Sequence, residues 1–393
     1  MSNPPYWEYT ANMKKSLSYV LVTPYAVAKN RTGGVLSRLL SGTDLELVGA
    51  RTFVPDGDFA GKYAEALRKR LPRDGFARLA DYAERNLAGP ERALLLLFFG
   101  ENPCGKLSGV CGPAAPPGAE AGGTIRDTFG DLILEPDGSG GARHFEPAVF
   151  TAECRTDADA DMALFADFLE GRENIVKNLP HRNPEEVERT LVILKPDNWT
   201  RNSSRPGVIL DMFSRTGLET VGVKVHRFSL AQALEFYGPV EAVLRDKLAG
   251  RYGKRARELL EREFGAEMDG ETAKTLEETF GADCAVREFG NIVEFMCGKR
   301  PGSGGDPDAP GDVKCVILVY EGPNAVAKIR ETLGPTNPAE APDGTVRREF
   351  GSTVMINAAH ASDSTESFLR EKDVVRMDEN TLTAIIAEHL GRG

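Results

Sequence analysis

The sequence predicts an α+β protein built as two tandem two-layer sandwiches. Three observations carry that prediction. The chain repeats itself, its apolar runs are short, and strands and helices mix irregularly rather than in strict βαβ alternation. The repeat is legible by eye. Ser18–Pro24 (SYVLVTP) matches Arg189–Pro196 (RTLVILKP), and Gly33–Leu40 (GGVLSRLL) matches Pro206–Phe213 (PGVILDMF). Leu45–Phe53 matches Leu218–Phe228, and Gly123–Gly130 (GTIRDTFG) matches Gly344–Gly351 (GTVRREFG). Phe98–Pro113 matches Val319–Pro335, with one extra residue expected in the second copy.

Each copy reads in the same order. Val20–Val22 and Leu191–Leu194 are first strands, because a short apolar run that stops at a proline reads as a buried strand. Val35–Leu40 and Val208–Phe213 start helices, with apolar residues at helical spacing. Ser229 and Gln232 form an S-x-x-Q capping box before Leu234–Tyr237. Cys315–Tyr320 is a continuous apolar run of the buried-strand kind, and Val354–Ile356 is read as another strand. The expected layout is a first domain over 16–171, a charged linker over 172–188 with Asn-Pro turn signals, and a second domain over 189–390. The second copy is longer in two places. Residues near 245–285, rich in Leu, Glu, Arg and Ala, read as added helix, and 301–312 (PGSGGDPDAPGD) reads as a flexible loop. The first copy has its own short loop over Glu135–Arg143.

Composition narrows the function. The chain has 393 residues, 41% of them apolar and 27% charged, with a formal net charge of −11. An acidic chain lacks the basic footprint of a constitutive nucleic-acid binder, although local clusters of Lys and Arg can still hold small anions. The longest apolar run, Ala93–Phe99, is far short of the roughly 20 residues of a membrane span. The N-terminal stretch has no apolar centre, so no signal peptide is read there and a cytoplasmic location is expected. Six cysteines form no CxxC pair and are expected to be free thiols. Five histidines show no HxxxH or HxH spacing, so no structural metal site is expected.

The informative stretch is Asn357–Glu371 (NAAHASDSTESFLRE). His360 follows an apolar run and precedes a dense helix N-cap, Ser362-Asp363-Ser364. An isolated histidine of this kind is most often a satisfied structural one. Here Lys195-Pro196-Asp197 ends the first strand of the same copy, and Lys328–Pro338 supplies cations, a hydroxyl and a turn. Arg347 follows in GTVRREF.

With these four elements in order, the second copy resembles the nucleoside diphosphate kinase family. That family carries a Lys-Pro-Asp, an Arg-x-x-x-Gly-x-Thr-Asn-Pro loop, a Gly-Thr-Ile/Val-Arg turn and an Asn-x-x-His-Gly-Ser-Asp-Ser signature. The second copy matches all four, with Ala361 at the usual glycine. The resemblance implies two tandem ferredoxin-like α/β sandwich domains with mainly antiparallel sheets. It also implies ping-pong transfer of a γ-phosphoryl group from a nucleoside triphosphate to a diphosphate through His360. Lys195, Arg330 and Arg347 would neutralise phosphate charge, and Thr336 and Asn357 would donate hydrogen bonds. Tyr237 matches the family's tyrosine near the histidine, Glu371 the carboxylate that orients its ring, and Ser364 a serine close to that pair. Mg²⁺ would arrive with the nucleotide. The base-stacking position falls on Glu288 or Phe289, beside the insertion.

The first copy is expected to be inert. Phe150 stands at the histidine, Thr23 at the lysine, Tyr25 at the aspartate and Ser108 at the first arginine. Only Arg126 of the phosphate-binding group survives, and His144 is expected not to substitute. The first copy is read as an internal stand-in for a second subunit, with a trimer or dimer of two-domain chains as the expected homo-oligomer. The loop matching Gly334–Pro338, placed at subunit contacts by the resemblance, is replaced there by Gly112–Pro117 (GPAAPP). The competing reading is a nucleotide-binding regulatory or scaffold protein that has lost its kinase activity.

Overall fold

The computed structural model describes residues 15–71, 73, 75–114, 122–138 and 140–392. The stretch Met1–Lys14, where no signal peptide is read, and Ala115–Pro117 of the GPAAPP stretch lie outside them.

The first sheet is built from β1 (Ser16–Val22), β2 (Glu46–Phe53), β3 (Ala93–Gly100) and, after the separate hairpin of β4 (Asp131–Leu134) and β5 (Ala142–Glu146), β6 (Val149–Phe150). Its strand order is β2-β3-β1-β6, with β1 antiparallel to both neighbours. β1 is central, which is why all seven of its residues are buried. The second sheet contains β7 (Val187–Leu194), β8 (Glu219–His226), β9 (Cys315–Pro323) and β10 (Ala359–Ala361), in the order β10-β7-β9-β8. Counted within each half, both orders are 4-1-3-2, the ferredoxin-like arrangement. Helices and strands mix as in an α+β fold.

The two halves also share their strained positions. Leu21 faces Phe150 across the first sheet as Ile193 faces His360 across the second. The turn into that last strand uses a positive φ in each half, at Ala148 (60°) and Ala358 (68°). Ser18 faces Phe98 and Thr190 faces Tyr320, so Phe98 corresponds to Tyr320 rather than to Val319. The extra residue expected in the second copy is therefore absent, and Gly112 (84°) and Gly334 (82°) fall at the same step. In each, a Cβ would collide with the threonine at the N-cap position of the next helix, Thr124 or Thr345.

Val354–Ile356 is not a strand. The backbone folds back on itself there, with Ser352 and Thr353 both donating to the Ile356 carbonyl, and Val354 is exposed. The strand begins instead at Ala359.

The first half carries the helices α1 (Pro24–Ala28), α2 (Thr32–Gly42), α3 (Gly57–Arg68), α4 (Phe76–Tyr82), α5 (Pro103–Cys111), α6 (Ile125–Phe129) and α7 (Arg155–Leu169). The second half adds α8 (Arg205–Ser214), α9 (Leu230–Phe264), α10 (Gly270–Leu276), α11 (Ala282–Cys297), α12 (Ala325–Leu333), α13 (Val346–Phe350), α14 (Thr365–Val374) and α15 (Thr381–His389). The packing of α2 against α8 relies on glycine. A Cβ on Gly207 would lie 2.2 Å from the Gly33 carbonyl oxygen. One continuous core then takes Val35, Leu36 and Leu39 from α2 and Ile209, Met212 and Phe213 from α8, together with strands of both sheets.

The chain divides into two compact units that do not follow the repeat. The first holds both sheets and spans 1–225, 316–372 and 376–393. The second spans 226–315 with 373–375. In this second unit the Ser229/Gln232 capping box opens α9, a helix of 35 residues, and α9 ends at Gly265 in the left-handed region. The chain returns through α10 and α11. Gly281 approaches Ala249 so closely that a Cβ would sit 2.4 Å from its carbonyl oxygen. The segment 245–285 is thus mostly helical, and 301–312 is a loop tied by Lys299 Nζ to the Ala309 carbonyl.

Candidate active site

The central pair of the second half is set by the sheet. His360 sits on β10 opposite Ile193, and Lys195 follows two residues later at the end of β7. The Lys195 backbone N–H donates to the Ala358 carbonyl, which fixes the lysine beside the turn into β10. Its Nζ donates to Asn357 Oδ1 at 2.8 Å and to the Met355 carbonyl at 3.2 Å. Burial, with the charge of Arg347 beside it, pulls the Lys195 ammonium down to about 8. Asn357 is itself buried and turns its amide N–H groups to the carbonyls of Thr336 and Val354. One asparagine thus joins the lysine to the loop that carries Thr336.

His360 Nε2 lies 3.0 Å from Glu371 Oε2. Glu371 projects from α14 and is buried, so its contact with the ring is shielded from solvent. The hydroxyl that completes the pair belongs to Ser362, which donates to the same Glu371 oxygen at 2.8 Å. Ser364, the serine singled out from the sequence, serves the helix instead: its Oγ accepts the Ser367 N–H. The sequence signal for Ser362 is its place two residues after the histidine, just past β10, where its N–H still donates to the Leu191 carbonyl and the alternation of an extended chain continues.

The remaining residues fall into place unevenly. Arg347 donates Nη1 to the Gly334 carbonyl at 2.9 Å and Nη2 to the Ala359 carbonyl at 3.1 Å, so it braces the Thr336 loop against the histidine strand. Arg330 is exposed on α12, and Thr336 is exposed on its loop. Asp363 is held below the usual carboxylate range by the Ser367 hydroxyl, with smaller pulls from Arg330 and His360. Tyr237 lies in the second unit on α9, its ring 5.2 Å from that of Phe236. Phe289 points into the interior of that unit, on the α11 face it shares with Ala285, Val293 and Met296. Glu288 is half-buried and accepts from Asn291.

The first half fills the corresponding space with its own side chains. Thr23, at the lysine position, donates to Glu146 Oε1 at 2.7 Å, and burial raises the Glu146 carboxyl. Phe150 is fully buried between Tyr63 and Tyr82. Asp161, the seventh residue of α7 as Glu371 is of α14, binds Arg70 at 2.5 Å and accepts from the Tyr19 hydroxyl at 2.6 Å. Arg126 keeps its bracing role, donating to the carbonyls of Gly112 and Val149 as Arg347 does to their counterparts. His144 pairs with Ile133 in the β4–β5 hairpin.

Comparison with known proteins points the same way. A family model described as nucleoside diphosphate kinase matches residues 310–380, the stretch that carries Arg330, Arg347, His360 and Glu371. The chain is 34% identical to a nucleoside diphosphate kinase of Methylobacterium nodulans over 196 residues, 48% of this chain and 98% of that protein. It is 33% identical to one of Cereibacter sphaeroides over 185 residues, 47% of this chain and 90% of that protein. Among solved structures it is similar to the Aquifex aeolicus nucleoside diphosphate kinase, at 28% identity, a TM-score of 0.30, and coverage of 48% of this chain and 94% of that one. It is also similar to the enzyme from Encephalitozoon cuniculi, at 21% identity, a TM-score of 0.32, and coverage of 49% and 90%. With the relatives matched over nearly their whole length by about half of this one, the chain belongs to the nucleoside diphosphate kinase family.

Proposed function

We propose that the second half is a working nucleoside diphosphate kinase and that the first half, 16–171, is an inert domain of the same fold. The observation that carries this reading is the His360–Glu371–Ser362 relay beside a buried lysine. Glu371 engages Nε2, so attack on phosphorus falls to Nδ1. The Nδ1 lone pair forms a bond to the γ-phosphorus as the bond to the β–γ bridging oxygen breaks, releasing the diphosphate. The Nε2 proton stays in the hydrogen bond to Glu371, where the carboxylate stabilises the positive charge that develops on the ring. The second half-reaction reverses these bonds onto the terminal phosphate of an acceptor diphosphate.

Lys195 and Arg330 supply positive charge to the phosphates and Thr336 a hydrogen bond, while Asn357, its amide already committed to Thr336, Val354 and Lys195, acts by holding the lysine and the loop; Tyr237 is assigned by the family resemblance alone. Arg347 contributes charge while holding the loop in place. Mg²⁺ bound with the nucleotide would neutralise part of the phosphate charge. The carboxylates near the lysine and histidine are committed to protein partners, Asp197 to Arg205 and Glu371 to His360 and Ser362. That arrangement fits an ion held by phosphate oxygens and water rather than by a protein cage. The buried setting of Phe289 supports a base site that does not depend on stacking against it. The first half takes the place of a partner subunit, leaving higher assembly to a trimer or dimer of chains.

The test is incubation of the purified chain with γ-labelled ATP and Mg²⁺, followed by a GDP chase, beside His360→Ala. We expect an acid-labile label in the wild type, none in the variant, and transfer of label to GTP. Label that persists in the variant overturns the assignment. No label in a folded chain that still binds nucleotide supports the scaffold reading instead.

A further inference from the structure

We propose that the first half carries a second, non-catalytic anion site for a phosphate group, in the pocket formed by β2, the end of α7 and the segment after it. The pocket has a volume of about 400 Å³ and is lined by Arg51, Phe53, Phe168, Arg172 and Lys177, among others. Arg51 is its unusual member. Its side chain is 1% exposed, among the most completely buried large side chains in the protein. Nη2 donates to the carbonyls of Arg172 and Glu173, both at 2.8 Å. Nε and Nη1 have no hydrogen-bond partner among the described residues. A buried guanidinium without a counter-charge is costly, by several kcal/mol per ion on general grounds.

The internal repeat shows what is missing. The equivalent cation in the second half is Lys224, on β8, and it too donates to a backbone carbonyl, that of Arg376. Lys224 has two carboxylates in its field, Glu379 and Asp378. Among the described residues no carboxylate acts on Arg51; the charge that does is another cation, Arg172. The acidic groups that reach this region are already engaged, Asp56 by Arg172 at 3.4 Å and Glu173 by Lys177. Asp378 and Glu379 are paired with Lys372 and Arg376 yet still act on Lys224, whereas the first half places a pocket beside its own cation. A phosphate group fits the donors left over, because Nε and Nη1 each keep an N–H for a single hydrogen bond to an anion oxygen, and Lys177, paired with Glu173, lies at the same pocket. The apolar wall of Phe53 and Phe168 leaves room for a small ring attached to that phosphate.

The test uses the full chain with ADP and Mg²⁺ at saturation, so that the kinase site is filled. Inorganic phosphate and phenyl phosphate are titrated separately while thermal unfolding is followed, with chloride at matched ionic strength as the control. We expect phosphate to raise the unfolding temperature of the wild type and Lys177→Glu to weaken the apparent affinity at least tenfold. Arg51→Met should abolish the response. Tighter binding of phenyl phosphate assigns the site to a phosphomonoester, and equal binding to free phosphate. A wild type that responds to phosphate no more than to chloride overturns the proposal. So does a Lys177→Glu chain that responds as the wild type does, which settles the matter even where Arg51→Met fails to fold. Kinase turnover in both variants stays at the wild-type level, so failure of this site is separable from failure of the proposed activity.

Discussion

At the residue scale the site depends on one buried charge. Lys195 keeps its ammonium in a position where burial and Arg347 oppose it, and its folded value of about 8 lies below the 10.5 of an unperturbed lysine. The sign follows directly. Between about pH 8 and 10.5 the unfolded chain binds the proton that the folded chain has lost, so stability rises with pH across that window. Lys224 is also lowered to about 8, chiefly by burial, and adds in the same direction. In the proposed kinase reaction the effect moves the opposite way, because a neutral Lys195 would attract phosphate less. We expect KM for ATP to increase severalfold as pH climbs from 7 to 9, while kcat changes less. Steady-state kinetics across that range, beside Lys195→Met, check this: the variant should have a high KM that is flat with pH. A wild-type KM that stays level to pH 9 would place the charge on another residue. The sequence revealed the lysine because a Lys-Pro-Asp after a strand is a fixed pattern. It did not reveal that Asn357 Oδ1 receives the ammonium, since that contact spans 162 residues of chain.

At the scale of elements, what could be read was what repeats. The strands of each half were legible because their apolar runs have no polar face, and the 4-1-3-2 order follows once the last strand pairs with the first. The reading failed where side-chain type and backbone path disagree. Val354–Ile356 looks like a strand by composition, yet the turn that carries Asn357 to Lys195 leaves Val354 exposed. Ser364 looked like the catalytic neighbour, but an extended chain places every second residue on one face, and this selects Ser362. Helix packing was invisible, because it rests on a residue with no side chain. Gly207 touches Gly33 through backbone, and a methyl group there has nowhere to go. Gly207→Ala should destabilise the protein by about 1–3 kcal/mol, the usual cost of overpacking, or more because carbonyl groups cannot rotate aside as side chains do. Denaturant unfolding measures it, and an unchanged midpoint would mean that α2 and α8 separate freely. Gly109, where a Cβ meets nothing within 4 Å, is the control position.

At the scale of the whole molecule, the two halves are not separable by cutting at the linker. Their shared core runs from Val35 and Leu39 through Ile209 and Phe213 to Val316 and Leu318. The C-terminal helix α15 returns to the other end of the chain: Leu382 and Ile386 belong to the core of the first half, with Tyr63, Phe76 and Phe165. His389 lies 3.0 Å from Asp159, and Asn380 donates to the Leu169 carbonyl at the end of α7. Each large apolar side chain uncovered costs about 1.5–3 kcal/mol, and a domain has only about 5–15 kcal/mol of net stability. Uncovering Ile209, Phe213, Leu382 and Ile386 together would consume much of that margin. A chain of residues 172–393 keeps the whole proposed catalytic group, yet we expect it to aggregate or to pair with a second copy through the face of α8. Size-exclusion chromatography with light scattering decides between these fates. A stable monomer of 172–393 with the unfolding midpoint of the full chain would show that the first half contributes nothing to the fold. Recovery of soluble, active material on adding residues 1–171 as a separate chain would show the reverse, that the inert half persists because its surface completes the working one.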